Sequence, residues 1–343
     1  MKRKIAVLGA GAIGSSVGAD LTKAGLDVTL IDQWPAHVEA MKAKGLRIVM
    51  PDEDLQIPVR ACHLCELAAT NPEFDIVLLA VKCYDSRWMA ELIKPYLARE
   101  GVLVGMQNSM NDDSHASIVG RERTMGCVVE LSAEIFTPGL VQRNTRRAGT
   151  WFAVGELDGS ITPRAREIQS LLSNVAKVDL ANNIYGAKWT KLVVNSMTMG
   201  PFALLGLRSG EALELPGIYE IAVKLGKESL AVGAALGYRI EPVFGLRADE
   251  FAGSSDELLM TAMKTLLGHT GSRSRTAPIH DHLKGRRSDL EYINGLVARK
   301  GREVNVPTPC NEAVAEIDRQ INSGQLKMDR SNFELLKARI GAA

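Results

Sequence analysis

Net charge is nearly absent from this chain. Its 343 residues carry 41 lysines and arginines against 40 aspartates and glutamates, a formal net charge of +1. No basic footprint exists for a polyanion, which excludes nucleic acid as a main partner. Cysteine is scarce as well. Cys62, Cys65, Cys83, Cys127 and Cys310 are too few for a disulfide framework and read as reduced thiols. No run of about 18 apolar residues occurs, which excludes a transmembrane helix and a membrane partner. The opening Met1-Lys2-Arg3-Lys4 and the apolar stretch after it look superficially like a secretory leader. Glycines interrupt that stretch, no convincing cleavage site follows, and it runs on to Asp20 and Lys23 as an amphipathic helix. The expected location is cytoplasmic. Internal repeats and low-complexity segments are missing too. What remains is 46% hydrophobic and 24% charged, the balance of a globular protein with about two domains, each able to bury a core.

The first half alternates short apolar runs with helical patterns. Strands are expected at Ile5 to Leu8, Val28 to Ile31, Asp75 to Val81 and Val102 to Met106. Helices are expected at Ala12 to Ala24, Ala36 to Lys44 and Ser86 to Leu97. The third and fourth strands are apolar almost throughout, as parallel strands covered on both faces are. This rhythm predicts a doubly wound parallel sheet. Later strands are expected at Cys127 to Leu131 and Thr150 to Val154, with a turn at Pro138-Gly139 between them. From about Asn183 the spacing becomes purely helical: Ile218, Ile221, Ala222, Leu225, Val232 and Leu236, then Asp256 to Leu267, Asp289 to Arg299, and Pro309 to Asn322 capped by Thr308. The predicted architecture is an α/β Rossmann domain over residues 1–182 and an all-helical domain over 183–343.

Gly9-Ala10-Gly11-Ala12-Ile13-Gly14 leaves a strand and enters a helix. The first glycine permits the tight turn, the second lets backbone approach a pyrophosphate, and the third allows close helix–strand packing. The backbone of Gly9, Gly11, Ala12, Ile13 and Gly14 is therefore the expected pyrophosphate site of a dinucleotide. Asp32 ends the next strand, 18 residues after Gly14. Its carboxylate can accept hydrogen bonds from both adenosine ribose hydroxyls and would repel a 2′-phosphate. The following Gln33-Trp34-Pro35 supplies no arginine for such a phosphate, so NAD is favoured over NADP. Trp34 either covers the adenine or packs on its own loop.

Lys191 and Asn195 are four residues apart, on one face of a helix whose Trp189, Leu192 and Val193 serve packing. A lysine beside a nicotinamide can protonate a developing alkoxide or deprotonate an alcohol in reverse. Taken alone, such a lysine is more often simply solvated.

The glycine motif, Val81-Lys82, Gln107-Asn108, the Lys191 to Asn195 block and the run Asp289-Leu-Glu291-Tyr-Ile-Asn294-Gly295 occur in the order seen in ketopantoate reductases. Val306-Pro307-Thr308-Pro309-Cys310-Asn311 extends the match, so the chain resembles the 2-dehydropantoate 2-reductase family over nearly its whole length. The resemblance implies that Lys191 is the general acid/base and that Asn195 binds substrate. It implies that Asn108 lies by the nicotinamide, contacting cofactor and substrate, that Lys82 helps hold the cofactor, and that Asp289 is the substrate-binding, catalytic acid. Arg275 is a candidate for pairing with a substrate carboxylate. Asp289 stands where the family usually has glutamate, Ala277 where it has a substrate-binding serine, Met199 near a usual second asparagine, and Ser109 where a glycine follows the glutamine-asparagine pair. The cofactor half matches and the substrate half departs.

The expectation is an NAD(H)-dependent dehydrogenase or reductase, running in the oxidative direction because cells commonly keep the NAD pool oxidised, acting on a small hydroxy/keto acid or related polar alcohol and forming a homodimer. A true NADPH-dependent ketopantoate reductase and a non-catalytic dinucleotide sensor are the alternatives. Cys62-His-Leu-Cys65 lacks a second pair for zinc, His280-Asp-His282 lacks convergent geometry, and Arg273, Arg286 and Arg287 read as a solvated face. No metal is expected.

Overall fold

In a computed structural model, residues 3–247, 249–250 and 253–341 are described. They fall into two compact units, Met1–Tyr185 and Gly186–Ala343. The first contains β1 (Lys4–Leu8), α1 (Ala12–Lys23), β2 (Asp27–Asp32), α2 (Pro35–Lys44), β3 (Leu46–Val49), β4 (Asp54–Ile57), β5 (Arg60–His63), α3 (Glu66–Thr70), β6 (Phe74–Leu79), α4 (Ser86–Ile93), β7 (Leu97–Gly105), α5 (Asp112–Val119), β8 (Thr124–Glu130), β9 (Ala133–Thr137), β10 (Leu140–Arg143), β11 (Trp151–Glu156), α6 (Pro163–Leu172) and β12 (Lys177–Leu180).

Eight strands make the main sheet in the order β12-β11-β8-β7-β6-β1-β2-β5. The six from β5 to β8 run parallel, and β11 turns antiparallel to β8. Both faces are covered, which is why the strand sequences are apolar throughout. Ile5, Val7, Ile76, Leu78, Val102 and Val104 enter one core with α1 and α6. Ala6, Leu8, Val77, Leu79 and Leu103 enter the other, where Met89, Ile93 and Ile118 of α4 and α5 pack. The N-terminal unit is thus the doubly wound sheet that the sequence pattern predicts.

Two features of this unit were not in that pattern. A second sheet, β4-β3-β10-β9, forms from four-residue and five-residue strands, with β10 parallel to β3. The Pro138-Gly139 turn closes its β9–β10 hairpin and does not link two strands of the main sheet. The main sheet also carries a row of cross-strand glycines: Gly105 pairs with Gly126, and Gly126 with Gly155. A Cβ at Gly105 would lie 2.9 Å from His115 Nδ1, and one at Gly126 would lie 2.6 Å from Ile184 Cγ1. The bare backbone lets α5 and Ile184 sit directly on the sheet. The helix expected to reach Leu97 ends at Ile93, and Leu97 already begins β7.

The second unit is helical: α7 (Ile184–Leu205, its first two residues in the first unit), α8 (Ser209–Leu213), α9 (Ile218–Ala235), α10 (Ser255–Thr270), α11 (Ala277–Leu283), α12 (Asn294–Glu303), α13 (Pro309–Asn322) and α14 (Asn332–Gly341). Its core joins Phe202, Leu204, Leu225, Ile293, Val314, Ile317 and Leu336. Pro201 lies inside α7 and cannot donate to the preceding turn. Beside it, Asn294 Nδ2 donates to Ser196 O (3.1 Å) and to Asn311 Oδ1 (2.9 Å). Asn311 Nδ2 in turn donates to Leu225 O (3.1 Å) and Glu228 Oε2 (2.8 Å). Thr308 makes no side-chain cap on α13. Glu228 of α9 does that work, accepting the Cys310 and Asn311 N–H groups at 2.8 and 2.9 Å.

Candidate functional site

The strand order reverses at β1, with β2 and β5 on one side and β6 to β8 on the other. Ligands of such sheets bind at the carboxyl ends of the strands flanking that reversal, and β1 ends at the glycine motif. Gly9 has φ +93°, and a Cβ there would lie 2.6 Å from Val81 Cγ1. A Cβ at Gly14 would collide with the Gly9 carbonyl oxygen, so α1 seats directly against the turn. Gly11 differs: it is the N-cap of α1, and a Cβ there would meet nothing within 4 Å among the described residues. Its backbone faces open space ahead of the first-turn N–H groups of Ala12, Ile13 and Gly14, which have no intrahelical acceptors. A cradle of bare backbone at a helix N-terminus fits a pyrophosphate.

Asp32 is the last residue of β2 and only 8% exposed. Its Oδ1 accepts the Trp34 N–H at 2.8 Å, which holds the carboxylate at the strand end. Trp34 stacks on His37, ring centres 5.5 Å apart. His37, which no sequence signal singles out, is fully buried. Its Nδ1 accepts the Gly139 N–H (2.9 Å), so its Nε2 carries the proton and donates to Ala10 O (2.9 Å). It thereby ties the glycine turn to the second sheet.

Lys82 is half-buried, just before the single turn Cys83–Asp85. Asn108 follows β7 and is also half-buried. Their segments meet: Cys83 Sγ donates to Asn108 O (3.2 Å), and Asn111 Nδ2 donates to the same oxygen (3.0 Å). Ser109 has φ +74°, in the left-handed region that favours glycine. That conformation accounts for the glycine usual at this point of the motif.

In the second unit, Lys191 and Asn195 share one face of α7 and are 8% and 2% exposed. The Lys191 ammonium lies 4.8 Å from the centre of the Phe244 ring, an attraction worth about 0.5–2 kcal/mol. Phe244 is itself buried with φ +63°, and the segment before it is pinned where Glu241 N donates to Thr190 Oγ1 (3.0 Å). Sequence reading missed Phe244, which lies in no periodic element, and Lys188, about one turn before Lys191 and also buried.

Asp289 is 4% exposed but is not in a helix. It precedes the single turn Leu290–Tyr292, and α12 begins only at Asn294. Turn geometry, and not helical divergence, separates it from Glu291, whose exposed carboxylate pairs with Arg299 and Arg319. The Asn294-to-Ser196 bond anchors this turn to the stretch of α7 that carries Asn195. Ser288 Oγ, next to Asp289, donates to buried Asp318, which also contacts His282 Nε2 at 3.0 Å. His282 thus has a structural partner. Arg275 is half-buried before the N-cap of α11. Cys62 is pushed up to about 11 by burial and the nearby Glu66 charge, so little reactive thiolate forms at neutral pH.

A doubly wound sheet with a glycine cradle, followed by a helical unit carrying a buried lysine–asparagine pair, defines a dinucleotide-dependent oxidoreductase class. The family models for ketopantoate reductase PanE/ApbA match residues 5–158, and for its C-terminal part residues 183–322. The chain belongs to the ketopantoate reductase family, whose members are nicotinamide-dependent oxidoreductases. It is 27% identical over 325 residues to a 2-dehydropantoate 2-reductase of Archaeoglobus fulgidus, covering 94% of this chain and 99% of that protein. Among solved structures it resembles the PanE/ApbA family ketopantoate reductase of Ralstonia eutropha JMP134, with TM-score 0.78, 26% identity and 94% and 99% of the two chains covered. D-mandelate dehydrogenase with NADH and anilino(oxo)acetate shares the fold, with TM-score 0.83, 21% identity and 94% and 98% covered.

Proposed function

We propose that this protein uses NAD(H) to interconvert a small hydroxy acid, or a related polar alcohol, and its keto form. The observation that carries the reading is the pair of buried polar groups Lys191 and Asn195, one helical turn apart with Asp289 anchored to the same stretch of the unit. When bound, the nicotinamide supplies or accepts the hydride at the substrate carbon. Lys191 Nζ gives its proton to the developing alkoxide in reduction and receives it in oxidation. Asn195 orients the hydroxyl or carbonyl, Asp289 accepts a substrate hydrogen bond, and Arg275 pairs with the carboxylate. Gly9, Gly11, Ala12, Ile13 and Gly14 hold the pyrophosphate, Asp32 the adenosine ribose, and Lys82 and Asn108 the nicotinamide end. Residues 1–182 serve the cofactor; residues 183–343 serve the substrate and a homodimer contact, in a cytoplasmic enzyme.

The choice of NAD rests on Asp32. A buried carboxylate at the strand end, with no arginine in the turn after it, repels a 2′-phosphate. Asp32→Ala should weaken NADH binding and relax discrimination against NADPH; a wild-type protein that already prefers NADPH overturns this assignment. The alternative is NADPH-dependent reduction of 2-dehydropantoate; the relatives from Archaeoglobus fulgidus and Mesorhizobium japonicum are named 2-dehydropantoate 2-reductase. A panel of 2-keto and 2-hydroxy acids that includes this substrate, run with both cofactors and read as nicotinamide absorbance, separates the two. Lys191→Ala should lower kcat at least about a hundredfold with NADH affinity retained. Unchanged turnover sinks the lysine's role, and no turnover of any substrate by wild type favours a dinucleotide sensor.

A further inference from the structure

A polar cluster buried beneath the Asn108 loop has no part in the chemistry above. Ser86, the first residue of α4, lies with its Oγ 2.7 Å from His115 Nε2 of α5. Gln107 Nε2 donates to the same Oγ at 3.0 Å. With Ser86 accepting from Gln107, its own proton is free for His115 Nε2. Ser86, Gln107 and His115 are 3%, 5% and 0% exposed, so no substrate reaches them. The glycine row makes their depth possible, because a Cβ at Gly105 would lie 2.9 Å from His115 Nδ1 and 3.1 Å from Asp112 Oδ1. Gln107 immediately precedes Asn108. The loop beyond it is held by Cys83 and Asn111 through the Asn108 carbonyl, and it includes Ser109 at φ +74°.

We propose that Ser86 and His115 form a buried relay that positions Gln107 and, through it, the Asn108 side chain for the nicotinamide end of the cofactor. Ser86, His115 and Gln107 are positioning residues; they touch no ligand. A loop with one residue in a left-handed conformation needs its neighbours over-determined to stay in place, and the relay supplies that constraint from the covered face of the sheet. The proposal rests on the reading of Asn108 as a nicotinamide contact.

The test compares two ligands: NADH, and ADP-ribose, which lacks the nicotinamide and reports only on the glycine cradle and Asp32. Binding is read by titration for wild type, Ser86→Ala, Ser86→Thr, Gln107→Met, Asn108→Ala and the Ser86→Ala/Asn108→Ala double variant. Ser86→Ala and Gln107→Met should weaken NADH by about tenfold, the scale of one buried hydrogen bond, and change ADP-ribose less than about twofold. Ser86→Thr, which keeps the hydroxyl, should restore NADH binding. The double variant should be no weaker than Asn108→Ala, because both act through one side chain. If Asn108→Ala weakens NADH and neither Ser86→Ala nor Gln107→Met does, the relay is overturned and the cofactor reading survives. An equal loss for both ligands also overturns it, as it marks general destabilisation. If Asn108→Ala leaves NADH unchanged while ADP-ribose binds, the Asn108 reading falls and the proposal with it. Should Ser86→Ala not fold, Gln107→Met and Ser86→Thr decide the same question.

Discussion

At the scale of the residue, the three glycines of the opening motif do different work, and substitution should separate them. Gly14 has no room: its Cβ would meet the Gly9 carbonyl oxygen, which is backbone and cannot swing aside. Gly14→Ala should therefore cost about 1–3 kcal/mol or more, seen as a lowered denaturation midpoint, and should abolish NADH binding as well. Gly11→Ala meets nothing within 4 Å among the described residues, so it should keep wild-type stability while losing affinity for dinucleotide. A Gly11→Ala protein that binds NADH normally contradicts the pyrophosphate reading. The motif was legible because strand, turn and helix N-terminus all follow within ten residues. His37 and Phe244 were not, since each acts on a residue that only folding brings near, Ala10 for the one and Lys191 for the other.

At the scale of the element, helix positions depend on a few buried polar links. Asn294 joins α12 to α7 and α13 through Ser196 O and Asn311 Oδ1, while Gly200 opposite leaves room for it; a Cβ there would lie 2.5 Å from Asn294 Oδ1. Asn294→Ala removes the donor that Ser196 O and Asn311 Oδ1 share and should destabilise the protein by about 1–3 kcal/mol, measured by urea unfolding. A loss below about 0.5 kcal/mol would mean that the helices hold their places by apolar packing alone. The Asn294 and Asn311 motifs, read from family likeness, turn out to brace α7. Periodicity found most helices because their apolar stripes are local. It missed β3, β4 and β10, since four-residue strands with alternating exposure have little signal, and β10 pairs with β3 across about 90 residues of chain.

At the scale of the whole molecule, the near-zero net charge means that neutral-pH stability does not hang on overall repulsion. Particular carboxylates should therefore dominate the acid limb. Glu53 is held down to about 2, from 4.5, by hydrogen bonds from Arg147 and Lys23. Arg147 and buried Arg143 both grip Asp20 of α1, at 2.7 and 2.8 Å, so this network ties α1 to the second sheet. A carboxylate whose folded pKa is depressed contributes its stability above its unfolded pKa and loses it as pH falls through the folded one. The Glu53 contribution should be intact above about 4.5 and fade toward about 2. Glu53→Gln should lower stability at pH 7 and flatten the pH dependence in that window, measured as denaturation midpoints from pH 7 to 2. Parallel curves for the two proteins would rule out this role for Glu53.

The amino-acid sequence by itself determined the class of each half, because apolar periodicity, glycine spacing and helix signals are local and survive without partners. Gly9, Gly11 and Gly14 were readable in that way, as was the shared face of Lys191 and Asn195. Tertiary structure alone decided what surrounds them: that His37 holds the turn, that Asp289 sits on a buried turn and not in a helix, that Phe244 covers the lysine, and that a row of glycines admits Ser86 and His115 beneath Asn108. Each of these is a contact between residues distant in sequence. Such contacts depend on strand order and on the volume left by missing side chains, and neither quantity is written in any short stretch of the chain.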